Sequence, residues 1–189
     1  MRFDEARNSG TLIGIDIGST TAKIVVIRSG EVVWERYERH MSQVRLKTLE
    51  MLHDASDAIG GGEVRVCVSG SAGLGMANAA GLPFVQEVFA TGEVVKTVAP
   101  ETSVVVELGG EDAKVIFFEG GTDERMNGSC AGGTGAFIDQ MATLLNVTPD
   151  ELDELSLKSE RIYPIASRCG VLRKQIYSRC SIRARAKRT

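Results

Sequence analysis

The chain has 189 residues, of which 43% are hydrophobic and 25% charged, a balance that excludes a largely disordered protein. Its apolar runs fall far short of the roughly 20 residues that cross a bilayer, and its N-terminus lacks the apolar core of a signal peptide, so we expect a cytoplasmic protein without membrane contact. The net charge is −3, and the four cysteines are too few for a disulfide scaffold.

Three strands are predicted at the start of the chain. Residues 12–17 and 22–27 are apolar runs, and the short polar segment between them, residues 18–21, predicts a tight turn. A third β-like run covers residues 31–37. The beginning of the chain is therefore predicted to form an antiparallel meander.

The next elements alternate between helices and strands. A helix is predicted over residues 44–59, where apolar residues recur at near-helical spacing, and three consecutive glycines end it. A strand over residues 64–69 follows and ends at Gly70. The remaining predicted elements are helices over residues 74–80 and 85–98, strands over 103–108 and 113–118, a helix over 136–145 and an acidic helix over 149–157.

The first glycine-rich turn begins at Gly18. Small residues at a strand-to-strand turn let backbone N–H groups converge, and the hydroxyls of Ser19, Thr20 and Thr21 add donors, so the turn can hold phosphate oxygens. Asp16, just before the turn, would then stand near a bound Mg²⁺, directly or through a water molecule. A tight hairpin turn with a half-buried aspartate accounts for the same residues equally well.

The second glycine-rich turn, Gly109 and Gly110, is surrounded by the carboxylates of Glu107, Glu111 and Asp112. Carboxylates beside an anion site make chemical sense mainly when a cation mediates. Neither turn is a Walker loop, because no Gly-Lys-Ser/Thr follows, and neither opens a helix after G-x-G-x-x-G. Two such loops are predicted to grip the phosphates and metal of one nucleotide from opposite sides.

The motifs resemble those of a known family. G-I-D-I-G-S-T-T-A-K, which starts at Gly14, resembles the first phosphate motif of the actin/Hsp70/sugar-kinase superfamily, and E-L-G-G-E-D-A-K, which starts at Glu107, resembles the second. R-M-N-G-S-C-A-G-G-T-G-A-F-I-D-Q-M-A and I-A-S-R-C-G-V are more specific. They resemble activators of 2-hydroxyacyl-CoA dehydratases and the related benzoyl-CoA reductase ATPase subunits.

This resemblance implies an α/β, actin-like ATPase (ribonuclease H-like) fold with a complete first lobe and an incomplete second lobe. The expected divisions are an N-terminal extension (residues 1–10), the first lobe (11–100), the second lobe with the cluster cysteines (101–171) and a basic tail (172–189). ATP and Mg²⁺ are the implied cofactors, Glu111 positions the attacking water, and Asp112 joins Asp16 at the metal. The implied nucleotide contacts are Asp16, Gly18, Ser19, Thr20, Thr21, Lys23, Glu107, Gly109, Gly110, Gly132, Gly133 and Thr134.

The resemblance also implies one [4Fe-4S] cluster per homodimer, held by Cys130 and Cys169 of each subunit. Thiolates are the usual ligands of such clusters, and a symmetric pair of subunits supplies four. The helix that follows Cys130 is expected to favour a thiolate through its N-terminal N–H groups. The alternative for each cysteine is a small buried apolar residue, which is what we predict for Cys67.

The implied function is ATP-dependent activation of a 2-hydroxyacyl-CoA dehydratase component, with an electron received from ferredoxin or flavodoxin. A sugar or acetate-type kinase of the same superfamily is one alternative, and a non-catalytic Hsp70-like nucleotide-binding module is another. His40 and His53 are predicted to be surface residues, because they are too far apart in sequence for a local metal pair. Trp34 and Tyr37 are both predicted to pack against neighbours.

The tail, residues 172–189, contains seven Lys or Arg and no acidic residue, a composition typical of a nucleic-acid-binding arm. The resemblance suggests another origin, because family members continue beyond the position of Val171 with a sequence like F-A-K-x-D-I-Q-x-L-x-N-x-G. The tail can be encoded by a set of codons that, when one base is inserted at its start, is read in the shifted frame as F-A-K-T-D-I-Q-P-L-L-N-Q-G. We therefore expect an out-of-frame tail, no nucleic-acid partner, weak ATP binding, slow hydrolysis and a tendency to aggregate.

Overall fold

The computed structural model of the chain describes residues 10–127 and 131–161. The described residues up to Val105, together with Ile116–Glu124, form one compact unit. Val106–Val115 and the described residues from Arg125 onward form a second. The predicted lobe boundaries and the incompleteness of the second lobe remain predictions.

The first unit is built on a four-stranded sheet with the order β3-β2-β1-β4. Its strands are β1 (Thr11–Ile17), β2 (Thr21–Arg28), β3 (Glu31–Arg39) and β4 (Val64–Ser69). The first three pair antiparallel, which confirms the predicted meander, whereas β4 pairs parallel with β1. An isolated parallel bridge between Val68 and Phe84 continues the order beyond β4.

One face of this sheet carries the hydrophobic core. Residues of β1 and β2 alternate between buried and half-buried, the pattern of a strand with one covered face. Helices α1 (Val44–Asp54) and α3 (Gly73–Ala80) supply the buried residues that meet this face. The core residues are Ile13, Ile15, Ile17, Ala22, Ile24, Val26, Met51, Ala55, Val68 and Ala77.

The helix predicted over residues 44–59 is divided in two. Helix α1 ends at Ala55, and the four-residue helix α2 (Ser56–Ile59) follows it immediately. Gly60, with φ of 65°, ends α2 as the glycine run predicted. Helix α4 (Glu87–Val98) completes the helices of the first unit and confirms the helix predicted there.

A three-stranded sheet with the order β5-β6-β7 is formed by β5 (Val104–Leu108), β6 (Ala113–Phe117) and β7 (Asp123–Met126). The sequence predicted β5 and β6 but missed β7, whose four residues are all exposed and give no apolar period. A short 3-10 helix, Ala131–Gly133, was also missed.

Two helices close the described part of the second unit. Helix α5 (Gly135–Leu145) contacts α6 (Pro149–Leu157) and buries Met141 and Ala142. Ile138 and Leu145 of α5 remain exposed. Helix α6 begins with a capping box, in which Thr148 and Glu151 each accept a hydrogen bond from the other's backbone N–H. Within the described ranges no helix has the length and apolarity needed to span a membrane.

Candidate functional site

The first glycine-rich loop connects β1 to β2, as predicted. The N–H of Gly18 donates to the carbonyl of Thr21 at 2.9 Å and closes the turn. The carbonyls of Gly18 and Thr20 are both held by His40, which donates from its ring Nε2 to Gly18 (3.1 Å) and from its backbone N–H to Thr20 (3.2 Å). With these carbonyls engaged, the loop's amides can be offered to an anion.

A cross-strand row of polar side chains lies beside this loop on the sheet face opposite the core. Register places Asp16 of β1 between Ser69 of β4 and Lys23 of β2, and places Tyr37 of β3 next to Lys23. Lys23 Nζ lies 2.6 Å from Asp16 Oδ2 and 5.5 Å from the centre of the Tyr37 ring. The other carboxylate oxygen, Asp16 Oδ1, is buried and has no hydrogen-bond partner.

This row forms part of the floor of an open cleft of about 770 Å³ in the first unit. A second row, with Gly14 at its centre, lies beside the first. A Cβ at Gly14 would come within 3.0 Å of a Val25 methyl, so the glycine leaves the cleft surface beside Asp16 without a side chain. The cleft is lined by Gly14, Ile15, Asp16, Lys23, Ile24, Val25, Glu35, Arg36, Tyr37, Cys67, Ser69, Val85, Ala90 and Val94.

The second glycine-rich loop connects β5 to β6 and lies in the second unit. The first two amides of α5 hold its carbonyls, since Gly135 N–H donates to Gly109 O at 2.8 Å and Ala136 N–H donates to Gly110 O at 3.1 Å. Cys130 lies outside the described residues, so the expected effect of this helix on its thiol stays a prediction. Like the first loop, the second has its carbonyls fixed by donors from elsewhere in the chain.

The carboxylates of the second loop surround a buried lysine. Lys114 Nζ lies 3.5 Å from Glu107 Oε1 and 3.7 Å from Asp112 Oδ2, and only 5% of the Lys114 side chain is exposed. Glu107 Oε2 is buried without a hydrogen-bond partner, whereas Glu111 is exposed. A Cβ at Gly109 would collide with the Asp112 carboxylate, so a larger residue there would displace the Asp112 side chain.

The predicted contacts Gly132, Gly133 and Thr134 lie at the start of α5. Gly132 and Gly133 belong to the 3-10 helix, and a Cβ on Gly133 would meet no atom within 4 Å. Thr134 is buried and its carbonyl accepts from the N–H of Phe137 at 3.0 Å. The assignment of these three residues to nucleotide binding stays a prediction.

The metal and phosphate chemistry fits each loop considered by itself. Among the described residues, no three His, Cys, Asp or Glu side chains gather into a metal cage. Mg²⁺ does not need one, because it commonly takes one or two carboxylates together with phosphate oxygens and water. The unpartnered oxygens Asp16 Oδ1 and Glu107 Oε2 are the kind of acceptors that a cation would satisfy. Cys130, Cys169 and the tail lie outside the described residues.

Predictions about three single residues are wrong. His40 is only 4% exposed and packs against the first loop rather than lying at the surface. Cys67 is exposed, because β4 alternates and turns Val66 and Val68, not Cys67, toward the core. Trp34 packs against the core as predicted, but Tyr37 is 65% exposed.

The chain also resembles known proteins. The sequence profile of the BadF/BadG/BcrA/BcrD ATPase family matches residues 13–184 and so extends into the tail. The (R)-2-hydroxyglutaryl-CoA dehydratase activating ATPase of Acidaminococcus fermentans is 30% identical over 176 residues, which cover 84% of this chain and 63% of that protein. The 2-hydroxyisocaproyl-CoA dehydratase activator of Clostridioides difficile is 30% identical over 165 residues, covering 84% and 61%.

A solved structure agrees with these relatives. The activator of the 2-hydroxyisocaproyl-CoA dehydratase from Clostridium difficile, with bound ADPNP, superimposes with a TM-score of 0.76 at 28% identity, covering 92% of this chain and 66% of that one. The predicted actin-like α/β fold is therefore confirmed. The chain spans somewhat less than two thirds of the length of the curated relatives it matches.

Proposed function

Because the chain belongs to the BadF/BadG/BcrA/BcrD ATPase family, we propose that it is an ATP-dependent activator of a 2-hydroxyacyl-CoA dehydratase or a related CoA-thioester reductase. In this function the protein couples ATP hydrolysis to electron transfer through an iron–sulfur cluster. The similar proteins from A. fermentans and C. difficile are an activating ATPase and an activator of such dehydratases, which supports this partner class.

The environment of Asp16 is the observation that supports binding of ATP and magnesium. Its Oδ1 is buried without a partner, beside a loop whose carbonyls are bound by His40. A buried carboxylate oxygen next to available backbone amides suits a magnesium-bound phosphate, because the cation meets the oxygen and the amides meet the anion. Lys23 already neutralises the other oxygen of the carboxylate and can also approach a phosphate.

Each residue then has a defined task. The loop of Gly18, Ser19, Thr20 and Thr21 binds phosphate oxygens, with Gly18 closing the turn through its own N–H to Thr21, and the loop of Gly109 and Gly110 also binds phosphate oxygens. Asp16 and Asp112 hold Mg²⁺ or its waters, Glu107 supports that metal, and exposed Glu111 positions the attacking water. Bound Mg²⁺ supplies neutralisation of the charge that develops on the transferred phosphoryl group.

The electron-transfer part rests on Cys130 and Cys169. We assign them as ligands of one [4Fe-4S] cluster shared by a homodimer, because the strings around them resemble those of the dehydratase activators. The cluster supplies a one-electron carrier, and ferredoxin or flavodoxin is the proposed donor. We place the protein in the cytoplasm, where thiols remain reduced.

Anaerobic purification followed by iron and sulfide analysis, an optical spectrum and titration with Mg-ATP tests the proposal as a whole. The expected result is four iron and four sulfide per dimer, together with Mg-dependent ATP binding that the substitution Asp16→Asn weakens. A colourless, iron-free protein that phosphorylates a small acceptor would instead identify a kinase. Iron-free ATP binding without hydrolysis would identify an Hsp70-like module.

A further inference from the structure

His40 has no role in the function proposed above, yet it is one of the few buried polar residues of the first unit. It follows β3 and lies against the loop between β1 and β2. Its backbone N–H extends the β2–β3 pairing by one bond, to the carbonyl of Thr20 at 3.2 Å. Its ring reaches further back, to the carbonyl of Gly18, 22 residues earlier in the chain.

The hydrogen bonds of the imidazole define its tautomer. The backbone N–H of Ser42 donates to Nδ1 at 3.1 Å, so Nδ1 is an acceptor and carries no proton. The proton of the neutral ring is therefore on Nε2, which donates it to Gly18 O at 3.1 Å. Both ring nitrogens are thus committed to backbone groups.

The backbone after His40 is strained in a way that preserves this arrangement. Met41 and Ser42 have φ angles of 46° and 62°, in the left-handed region that residues other than glycine rarely occupy. This conformation turns the chain back so that Ser42 N–H can reach the imidazole. Strain of this kind persists only where the surrounding structure fixes it, and it concentrates at functional sites.

We infer that His40 is a positioning residue for phosphate binding: it holds the carbonyls of Gly18 and Thr20 away from the ligand, so that the loop presents N–H groups to the nucleotide. The inference rests on the proposed function. If a carbonyl of the loop rotated toward the ligand, its negative dipole would face a phosphate oxygen and weaken binding. The hydrogen bonds of His40 described above all go to backbone groups, so the residue acts on the loop and takes no part in the reaction.

Three substitutions at one position separate positioning from stability. His40→Gln keeps an N–H donor at the distance of Nε2, His40→Asn keeps only an acceptor for Ser42 N–H, and His40→Phe keeps the ring size without either bond. We expect Mg-ATP affinity to fall by roughly three- to tenfold in the Asn and Phe variants, the loss typical of one hydrogen bond. The Gln variant should retain most of the affinity.

The measurements are isothermal titration with Mg-ATP, Mg-ADP and adenosine, thermal melting, and hydrogen exchange of the Gly18 amide, which donates to Thr21 O and closes the loop, without nucleotide. Support requires losses for the phosphate-bearing ligands but not for adenosine, with faster exchange in the Asn and Phe variants only. The inference would be overturned if all three variants bound Mg-ATP as tightly as the wild type. It would also be overturned if the loss of affinity in each variant simply paralleled its loss of melting temperature. If the wild-type chain binds Mg-ATP no better than adenosine, the proposed function fails, and unchanged loop exchange would separately refute the role of His40.

Discussion

Lys23 Nζ lies 2.6 Å from one carboxylate oxygen of Asp16, while the other oxygen of the same carboxylate is buried without a partner. The pair faces across the β1–β2 hairpin, where register sets the two residues directly opposite each other. Asp16 is thus half neutralised by the protein and half available to a cation. This asymmetry leads to the first prediction.

Asp16→Asn should remove the magnesium-dependent part of ATP affinity. The neutral amide of asparagine binds Mg²⁺ more weakly than a charged carboxylate does. We therefore expect the affinity for ATP in the presence of Mg²⁺ to drop by about tenfold or more, while the affinity for ATP in the presence of EDTA changes little. Asp57→Asn is the matched control, because Asp57 is exposed in the first turn of α2. An unchanged ratio between the two affinities would show that Asp16 does not meet the metal.

Glu111→Gln should separate binding from hydrolysis. Glu111 is exposed in the second loop, so the substitution leaves the packing of the unit unchanged. In the chain whose tail is returned to the family reading frame, we expect kcat for ATP hydrolysis to fall by roughly 10²-fold or more, as for loss of a general base, with near-normal Mg-ATP affinity. Measuring phosphate release and ATP titration on the same preparation checks this, and a normal kcat would remove Glu111 from the role.

Gly70→Ala should destabilise the first unit. Gly70 has φ of 92°, and a Cβ there would collide with the backbone of Ile17 at the end of β1. We expect a loss of about 2 kcal/mol or more in the free energy of unfolding, measured by denaturant titration. Gly61→Ala is the control, since no atom lies within 4 Å of its Cβ position, and it should change stability by less than about 0.5 kcal/mol.

Acid should loosen the start of α6. The N–H of Thr148, with the Thr148 hydroxyl contact, lowers the pKa of Glu151 below its ordinary value. A group whose pKa is lowered by folding adds stability above its unfolded-state pKa and loses it as the pH falls through the folded-state pKa. The protection factors of the α6 amides, which correct for the pH dependence of intrinsic exchange, should therefore fall on acidification below about pH 4.5. In Glu151→Gln this pH dependence should disappear, and its persistence would exclude Glu151 as the cause.

Thr148→Ala removes the same cap at every pH. We expect a loss of ~1 kcal/mol in the local stability of α6, the usual effect of deleting an N-cap threonine. Amide exchange of α6 at neutral pH measures it, with Thr143→Ala as a comparison, because the Thr143 hydroxyl donates to a carbonyl within α5 instead of capping a helix. Similar effects of both substitutions would argue against a specific capping role.

The tail prediction is tested at the level of the gene. We expect sequencing across the codon for Val171 to find one base missing relative to a reading frame that encodes F-A-K-T-D-I-Q-P-L-L-N-Q-G. An intact frame, with related genes that encode the same basic tail, would contradict it. The family match to residue 184 makes this test necessary, because the match includes most of the tail.

Periodicity predicted most of the described fold because β1 and β2 bury alternate residues and the apolar residues of α5 recur at helical spacing in the sequence. The break at Ala55 was missed because alanine gives no helix-stop signal, and β7 was missed because its residues are exposed and polar. Cys67 was misplaced because alternation does not reveal which face of a strand is covered.

The phosphate motifs were predictable from their residue types, but their supports were not. Gly18 and Gly109 are recognisable as turn glycines, whereas the donors that hold their carbonyls are a histidine from the end of β3 and the first amides of α5. These contacts are made to backbone oxygens, which every residue carries, so no residue pattern marks them in advance. The sequence therefore predicts His40 at the surface, although the residue is buried at the candidate site.

The short sequence distance between His40 and Gly18 has a consequence for how the molecule forms. His40 and Gly18 are 22 residues apart in the sequence, and the meander of β1, β2 and β3 joins residues at similar or smaller separations. The pairing of β1 with β4 joins residues that are more distant in the sequence, such as Thr11 and Val64. Local contacts close faster than distant ones, because less chain entropy is lost before they form. During synthesis the first phosphate loop can therefore form its contacts once residue 42 has left the ribosome, before β4 has emerged to complete the sheet.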